Sequence, residues 1–443
     1  MRRDIATILQ EKLATAVTIT PPVLTHREIH LPKVPGKAIA VVGMRRSGKT
    51  SFLWQCLSDL LSSGAKRESL VLLNFEDDRL AGMDCAALNF LIEEYFRIYP
   101  EFRDTQTVTL FLDEIQLVKG WETFARRILD TENIRLFISG SSASMLSREV
   151  ATSMRGRALE VPVYPFSFRE ALAHRGELPD KPWSRLPKQR RSAMEHAFRE
   201  YLVEGGFPEA QGINGRDRRL LLQSYVDVAI LRDVIERYSV SNPLALRWLQ
   251  RHLLGSPTAP FSIQKFYDSL RSQGLAVGKN TLHDFLSYLE DAFLIKTTSI
   301  FSASERQRMV NPRKAYPIDS GLIAVYERTG RENLGHCLET AVLLELLRRG
   351  CEVHYLKTKE GYEVDFLAVD MEGKMQLIQV CADLSDENTL SREIRSLITA
   401  KELYPHAKAI LLHLNPVFAE PPNLPSTIDI QPALAWFIDP IAY

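Results

Sequence analysis

AIAVVGMRRSGKTSFLWQCLSDLL, residues 38–61, sets a glycine-rich loop between a short apolar run and a helix-like segment. Gly43, Met44, Arg45, Arg46, Ser47, Gly48, Lys49 and Thr50 spell G-x-x-x-x-G-K-[ST], and the loop stands where its chemistry requires, straight after a strand and straight before a helix. In such a loop the backbone N–H groups and the helix N-terminus wrap a β-phosphate, Lys49 reaches the β and γ oxygens, and the Thr50 hydroxyl ligates Mg²⁺. Ser51, next in the helix, joins the expected binding set. The plain alternative is a glycine turn that merely joins strand to helix, and the two flanking elements argue against it.

Outward from this loop, Lys37 to about Pro165 alternates short apolar runs with longer amphipathic ones. Ala38–Val42, Leu70–Phe75, Val108–Leu112 and Ile134–Ser139 are each 5 or 6 residues long and bounded by turn residues. Strands without polar alternation, joined by helices, predict an α/β core with a parallel sheet buried on both faces. Thr109-Leu110-Phe111-Leu112-Asp113-Glu114 ends one strand in two carboxylates. Successive side chains face opposite ways along a strand, so Asp113 is expected in the metal shell and Glu114 toward an attacking water. Two solvated charges closing a buried strand would be the alternative. The extra strand Leu70–Phe75 between the motifs suggests the nucleoside-triphosphatase class with an inserted strand and a catalytic glutamate.

Other candidates are softer. Ile134–Ser139 runs into Gly140, Ser141 and Ser142, where a hydroxyl such as that of Ser141 could orient water or touch a γ-phosphate, or could cap a helix. Arg155 and Arg157 could place a guanidinium on transition-state charge, in cis or across a subunit contact, or be a surface pair. Glu76, Asp77 and Asp78 read most simply as a loop or helix-start acidic cluster, with the metal shell as the alternative.

Composition narrows the class. The chain has 443 residues, 55 basic and 55 acidic, 45% apolar and 25% charged, which is ordinary globular composition and excludes collagen-like and disordered readings. A net charge of zero removes the broad cationic field of a general nucleic-acid coat, though a local basic patch stays open. The apolar runs near the motif fall far short of the roughly 18 residues of a membrane helix, and MRRDIATILQEKL is too charged for a secretory h-region, so a soluble cytoplasmic protein is expected. The 5 cysteines form no C-x-x-C pair and read as small hydrophobes.

The organisation expected is an N-terminal helix and Pro-broken arm (1–36), the P-loop core (37–165), a helical lid (166–243), a winged helix-turn-helix (244–330) and a second α/β domain (331–443). The winged order rests on three short helices followed by a β-like pair, Leu294–Phe301 and Lys314–Ile318. The tail rests on a strong helix, Cys337–Arg349, and strand-like runs Val353–Lys357, Glu363–Val369, Met375–Val380 and Ala409–His413.

GMRRSGKT, FLDEIQ, FISGSS, RGR followed by VYPFSFREAL, EGGFPEA, YVDVAILRDV, YPIDSGL and EVDFLAV together resemble a prokaryotic AAA-type P-loop ATPase family whose C-terminal part is a domain of unknown function. The pieces run from about residue 37 to 380. The resemblance implies ATP and Mg²⁺ as ligands, a winged helix in the middle and a restriction-endonuclease-like fold at the C-terminus; it supplies no substrate and does not settle the oligomeric state.

In the winged module, Asn280 or Thr281 is expected to cap the second helix, with Leu282, Phe285, Leu286 and Leu289 buried and His283, Asp284, Ser287, Tyr288 and Glu290 outward. A DNA-reading helix wants Arg, Lys, Asn or Gln on that face, so a packing or protein-binding role is preferred. Arg306, Arg308, Arg313 and Lys314, in the expected wing, are the candidate phosphate contacts for double-stranded DNA. A restriction-type nuclease needs a helix carboxylate, a strand carboxylate, then a carboxylate, a spacer and a lysine. Glu339 and Asp365 are present, but Gln379-Val380-Cys381 supplies an amide and a cysteine, with Lys374 or Lys357 as nearby substitutes. The tail therefore reads as a scaffold without nuclease activity. The function expected is an ATP-hydrolysing switch that controls its C-terminal domains; the alternatives are an ATP-gated DNA-binding nuclease and a non-hydrolysing interaction scaffold.

Overall fold

The computed structural model describes residues 3–140, 154, 156–327, 333–415 and 425–438. The chain divides into two units, Met1–Val163 and Tyr164–Tyr443. In the first, the apolar runs become strands β1 (Ala38–Val42), β2 (Leu70–Asn74), β3 (Val108–Asp113) and β4 (Ile134–Gly140), each within a residue of its expected ends. A fifth strand, β5 (Ala158–Pro162), was not expected. All run parallel in the order β2-β3-β4-β1-β5. β4 thus lies between the loop-bearing β1 and the carboxylate-bearing β3. β1 and β3 are buried along their whole length, as strands covered on both faces must be.

Helix α1 (Arg3–Ala16) packs against α3 (Cys85–Ile98) and β2. α2 (Lys49–Ser62) follows β1 and α4 (Trp121–Thr131) precedes β4. The arm between α1 and β1 is latched onto α2. The Arg27 N–H donates to Gln55 Oε1 at 2.7 Å, and Gln55 Nε2 donates back to the Arg27 carbonyl at 3.1 Å.

The second unit begins with helices α5 (Phe168–Arg175), α6 (Lys188–Glu204) and α7 (Gly215–Val228), the last continued by a π-helix over Ala229–Glu236. Next come α8 (Pro243–Gly255), β6 (Pro260–Phe261), α9 (Ile263–Ser272), α10 (Lys279–Asp291), β7 (Ile295–Thr298), α11 (Glu305–Val310), β8 (Arg313–Pro317) and α12 (Gly321–Tyr326). β6, β7 and β8 form an antiparallel sheet in the order β6-β8-β7. Where a β wing was expected, residues 305–310 form α11, because Ser304 caps it by accepting from the Gln307 N–H, a helix-start signal in Ser-Glu-Arg-Gln. α10 buries Leu282, Phe285, Leu286 and Leu289 as expected, but its N-cap is Gly278 rather than Asn280 or Thr281.

The last segment places α13 (Leu334–Arg348), β9 (Glu352–Lys357), β10 (Glu363–Val369), β11 (Met375–Cys381), α14 (Glu387–Leu403), β12 (Lys408–His413), β13 (Ile428–Pro432) and α15 (Ala433–Ile438) in sequence. The sheet order is β13-β12-β11-β10-β9, antiparallel from β9 to β11 and parallel from β11 to β13. Strand alternation sorts its two faces. Phe366, Ile378 and Ile410 cluster with Leu338 and Val342 of α13, and Leu367, Leu377 and Leu411 with Leu397 and Ala400 of α14.

Three distant segments meet where the second unit starts. Phe166 N–H donates to the Gly206 carbonyl at 2.7 Å, and the Gly206 and Gly321 N–H groups donate to the two oxygens of Asp319 at 2.7 and 2.9 Å. A Cβ on Gly206 would lie 2.1 Å from the Phe166 carbonyl oxygen, so only glycine admits this approach. Arg348 closes the joint by donating to the Pro165 carbonyl at 2.9 Å. Burial pushes the Asp319 carboxyl up to about 6 against the pull of its two backbone donors. Among the described residues, no helix is long and apolar enough to cross a membrane, and all five cysteines are free thiols.

Candidate nucleotide-binding site

The loop leaves β1 at Gly43 with φ +156°, where a Cβ would fall 2.3 Å from the Val163 carbonyl oxygen. Gly48, at φ 101°, is the N-cap of α2, so the first N–H groups of that helix face the loop. Between them the Ser47 N–H donates to the Met44 carbonyl at 3.2 Å, and the buried Arg27 guanidinium donates to the Ser47 carbonyl at 3.0 Å. Met44 is buried and Arg46 takes a left-handed φ of 67°. Arg45 lies 3.8 Å from Glu76. The Ser47 hydroxyl is fully buried without a hydrogen-bond partner among the described residues, a cost of about 1–3 kcal/mol that a ligand could relieve. The Lys49 ammonium donates to the carbonyls of Gly43 and Met44 at 3.1 and 3.2 Å. Ser51 is exposed in the first turn of α2.

The carboxylate side is built by three strands. Asp113, wholly buried at the end of β3, accepts from Thr50 Oγ1 at 2.8 Å, from Asn74 Nδ2 at 2.8 Å and from the Ser139 hydroxyl. Burial raises the Asp113 pKa, while the Ser139 and Thr50 hydroxyls oppose the rise. Glu114 then adopts φ 54°, a left-handed turn that costs a non-glycine residue on the order of 1–2 kcal/mol. Its N–H donates to Ser139 Oγ at 3.2 Å and its carboxylate accepts from the Gln116 amide. Ser139 therefore links the two acids. Asn74 and Gln116 are site residues that the sequence reading missed; the signal for Asn74 was a polar residue closing an apolar strand.

Ser141 and Arg155 lie outside the described residues. Arg157 is a correction. It precedes β5, whose Ala158 pairs with Ala38 at the start of β1, so it sits at the end of the sheet opposite the loop, about 16 Å away by strand rise. There it forms an ion pair with Asp130, and it is not a cis ligand of the phosphate site. Asp77 is accounted for by the cap of a short turn and by ion pairs to Lys12 and Arg79.

Lys314 is the second correction. In place of an exposed DNA contact, its ammonium is buried on β8 at 2.8 Å from Glu363, 3.3 Å from Glu339 and 3.4 Å from Asp365. Burial would lower its pKa, but the three carboxylates outweigh burial and raise it. Glu339 and Asp365, the two acids kept from the nuclease pattern, thus share a lysine that neither sequence substitute foreshadowed. Tyr316 donates to Glu339 at 2.9 Å, the Val380 N–H to Asp365 at 3.0 Å, and Gln379 Nε2 to Glu393 at 2.7 Å. Lys374 instead pairs with Glu372, and Lys357 is exposed. Among the described residues no group of three or more His, Cys, Asp or Glu is arranged to hold a metal ion. Arg308 pairs with Glu305 at 3.0 Å and Arg313 lies 3.9 Å from Glu290, while Arg306 is exposed. On α10, Tyr288 stacks on Tyr238 with ring centroids 3.7 Å apart, so part of its outward face is used within the unit.

Residues 35–172 match the family model of an AAA domain, and residues 195–332 match that of a domain of unknown function. The chain is 33% identical over 376 residues to the uncharacterized protein MJ1544 of Methanocaldococcus jannaschii, across 84% of this chain and 80% of the relative. An uncharacterized protein of Haemophilus influenzae is 28% identical over 365 residues, across 82% of this chain and 86% of the relative. Among solved structures, the Walker-type ATPase PABY2304 of Pyrococcus abyssi is similar at 15% identity and a TM-score of 0.38, over 74% of this chain and 95% of that one.

Proposed function

This chain belongs to one family with the uncharacterized protein MJ1544 and carries an AAA domain, and on that premise we propose that it binds ATP with Mg²⁺, hydrolyses it and uses the nucleotide state to control interactions of its second unit. The observation that carries this reading is the 2.8 Å hydrogen bond from Thr50 to Asp113. It joins the phosphate loop to the carboxylate strand and sets two hard oxygen donors side by side, the donor chemistry that suits Mg²⁺. When bound there, Mg²⁺ neutralises phosphate charge. Lys49 and the α2 N-terminus hold phosphate oxygens, and the orphaned Ser47 hydroxyl is a further polar group of the same loop. Glu114 accepts the proton of the attacking water, held in place by Gln116 and by the Ser139 bond to its backbone. Arg157 lies outside this role in its own chain; an arginine supplied by a neighbouring subunit belongs to the same proposal.

In the second unit, the reading keeps a helical lid at 166–243, a winged helix-turn-helix at 244–330 and a restriction-endonuclease-like tail at 331–443. The Lys314 ammonium seated among Glu339, Glu363 and Asp365 supports a scaffold over a nuclease. Double-stranded DNA is left with Arg306, Arg308 and Arg313 as phosphate contacts. A cytoplasmic location goes with this function.

Steady-state hydrolysis and nucleotide binding by wild type, Lys49→Ala and Glu114→Gln test the assignment. Lys49→Ala is expected to lose nucleotide binding. Glu114→Gln should bind normally and turn over about 10²–10⁴-fold more slowly, as loss of a general base does. A Glu114→Gln protein that hydrolyses at the wild-type rate overturns the base assignment.

A further inference from the structure

A cleft of about 680 Å³ in the second unit is bordered by α8, α9 and the end of α12. It adjoins a polar chamber of about 230 Å³, and the two share Arg251, Tyr326 and Glu327. The cleft has an aromatic floor. His252, Phe261 and Phe266 stand with ring centroids 5.2–5.7 Å from one another, and Trp248, one turn before His252 on α8, is 43% exposed at the rim. Partial burial lowers the His252 pKa, which favours the uncharged ring as a stacking surface.

The chamber is cationic and incompletely satisfied. Arg219, Arg247 and Arg251 line it with Asp227 and Glu327. Arg247 is spoken for by Asp227 at 3.1 Å, and Arg219 donates to the Val325 carbonyl at 2.9 Å. Arg251 makes no hydrogen bond or ion pair with another described residue, and Lys265 is exposed at the lip of the cleft. Gln250 is 4% exposed, and its Nε2 has only the Tyr326 hydroxyl as a neighbour, without a hydrogen bond of ordinary geometry among the described residues. The exposed Arg251 guanidinium and the buried Gln250 amide both line the chamber, where one anion can engage both.

We propose that this cleft binds a phosphate attached to a planar base, with the phosphate on Arg251 and Gln250 and the base stacked between Trp248 and the His252–Phe266 floor. Aromatic platforms accept any base, while guanidinium groups select phosphate. The volume falls within the range of ligand sites, about 300–1,000 Å³. A free mononucleotide and the 5′-phosphorylated end of a single strand carry this same chemistry. The site is independent of the phosphate loop.

Binding is measured in the full chain carrying Lys49→Ala, so that the phosphate loop does not contribute, with AMP by calorimetry and with a fluorescent single-stranded hexanucleotide, 5′-phosphorylated or not, by anisotropy. Saturable binding of AMP or of the phosphorylated strand, weakened at least tenfold by Arg251→Ala and by Trp248→Ala, is the expected result. Binding of AMP without the strand identifies a mononucleotide site, and tighter binding of the phosphorylated strand identifies a strand-end site. Absence of saturable binding by both probes overturns the proposal. So does binding that ignores the 5′-phosphate or survives both substitutions.

Discussion

Two lysine–carboxylate constellations, one in each unit, have opposite electrostatic designs. In the first unit, Asp113 is held by a hydroxyl, an amide and a second hydroxyl, and Lys49 donates to two carbonyls. Neutral donors orient the Asp113 carboxylate without cancelling its charge, so that side of the site keeps its pull on a cation. In the second unit, Lys314 lies within 3.4 Å of three carboxylates, so its ammonium is answered inside the protein while the carboxylates stay in excess, an excess eased by the Asp365 carboxyl being pushed up to about 7 by burial and by Glu339. Such a cluster locks strands together and leaves no free ammonium for a phosphate. The difference teaches that residue types alone do not mark a site; what decides is whether their charges are already answered.

Breaking the lock is the largest expected effect. Lys314→Ala strands three carboxylates and should cost the second unit about 3–5 kcal/mol, the usual penalty for removing one partner of a buried ion cluster. Calorimetry should show the second unit's transition falling while the transition raised by nucleotide stays put. Neutralising the acids as well, with Glu339→Gln and Asp365→Asn on Lys314→Met, should restore most of the loss; no restoration would mean that packing, and not charge, is at stake. The joint gives a pH test. Asp319 titrates near 6 when folded, above the ordinary 3.8, so its stabilisation is complete below about pH 4 and is lost as pH rises through 6, a fall of about 3 kcal/mol by linkage. Asp319→Asn should flatten that slope in denaturant titrations at pH 4 and 7, and an unchanged slope would assign the pH dependence elsewhere. The smallest effect sharpens the first site. Asn74→Ala removes one neutral donor from Asp113 and should weaken Mg²⁺–ATP affinity about fivefold, the ~1 kcal/mol of one hydrogen bond. A change below twofold would take Asn74 out of the site.

The phosphate loop and the apolar strands β1 to β4 were legible because their signals are local: a fixed spacing, and runs without polar alternation. β5 and β13 were not. Both are edge strands that end in proline, at Pro162 and Pro432, and carry exposed positions, so they lack the buried-strand pattern. Within the site, Thr50 and Asp113 were found by motif, whereas Asn74 and Ser139 reach Asp113 from separate strands across 39 and 26 residues. Lys314 was read as a DNA contact because its sequence neighbours are basic. Its real neighbours, Glu339 and Asp365, lie 25 and 51 residues away, and only the paired sheets bring them together.

The joint at Gly206 and Asp319 bears on how the second unit can be inherited. Residues near 165, 206, 319 and 348 are stitched by hydrogen bonds, backbone to backbone and backbone to side chain, that no single stretch can complete. A gene fragment ending at 243 or 330 would leave Gly206 without Asp319, or Pro165 without Arg348. Recombination that swaps one segment of this region for a relative's must therefore carry its partners across the joint with it, so the stretch from Tyr164 onward is expected to travel between genes whole.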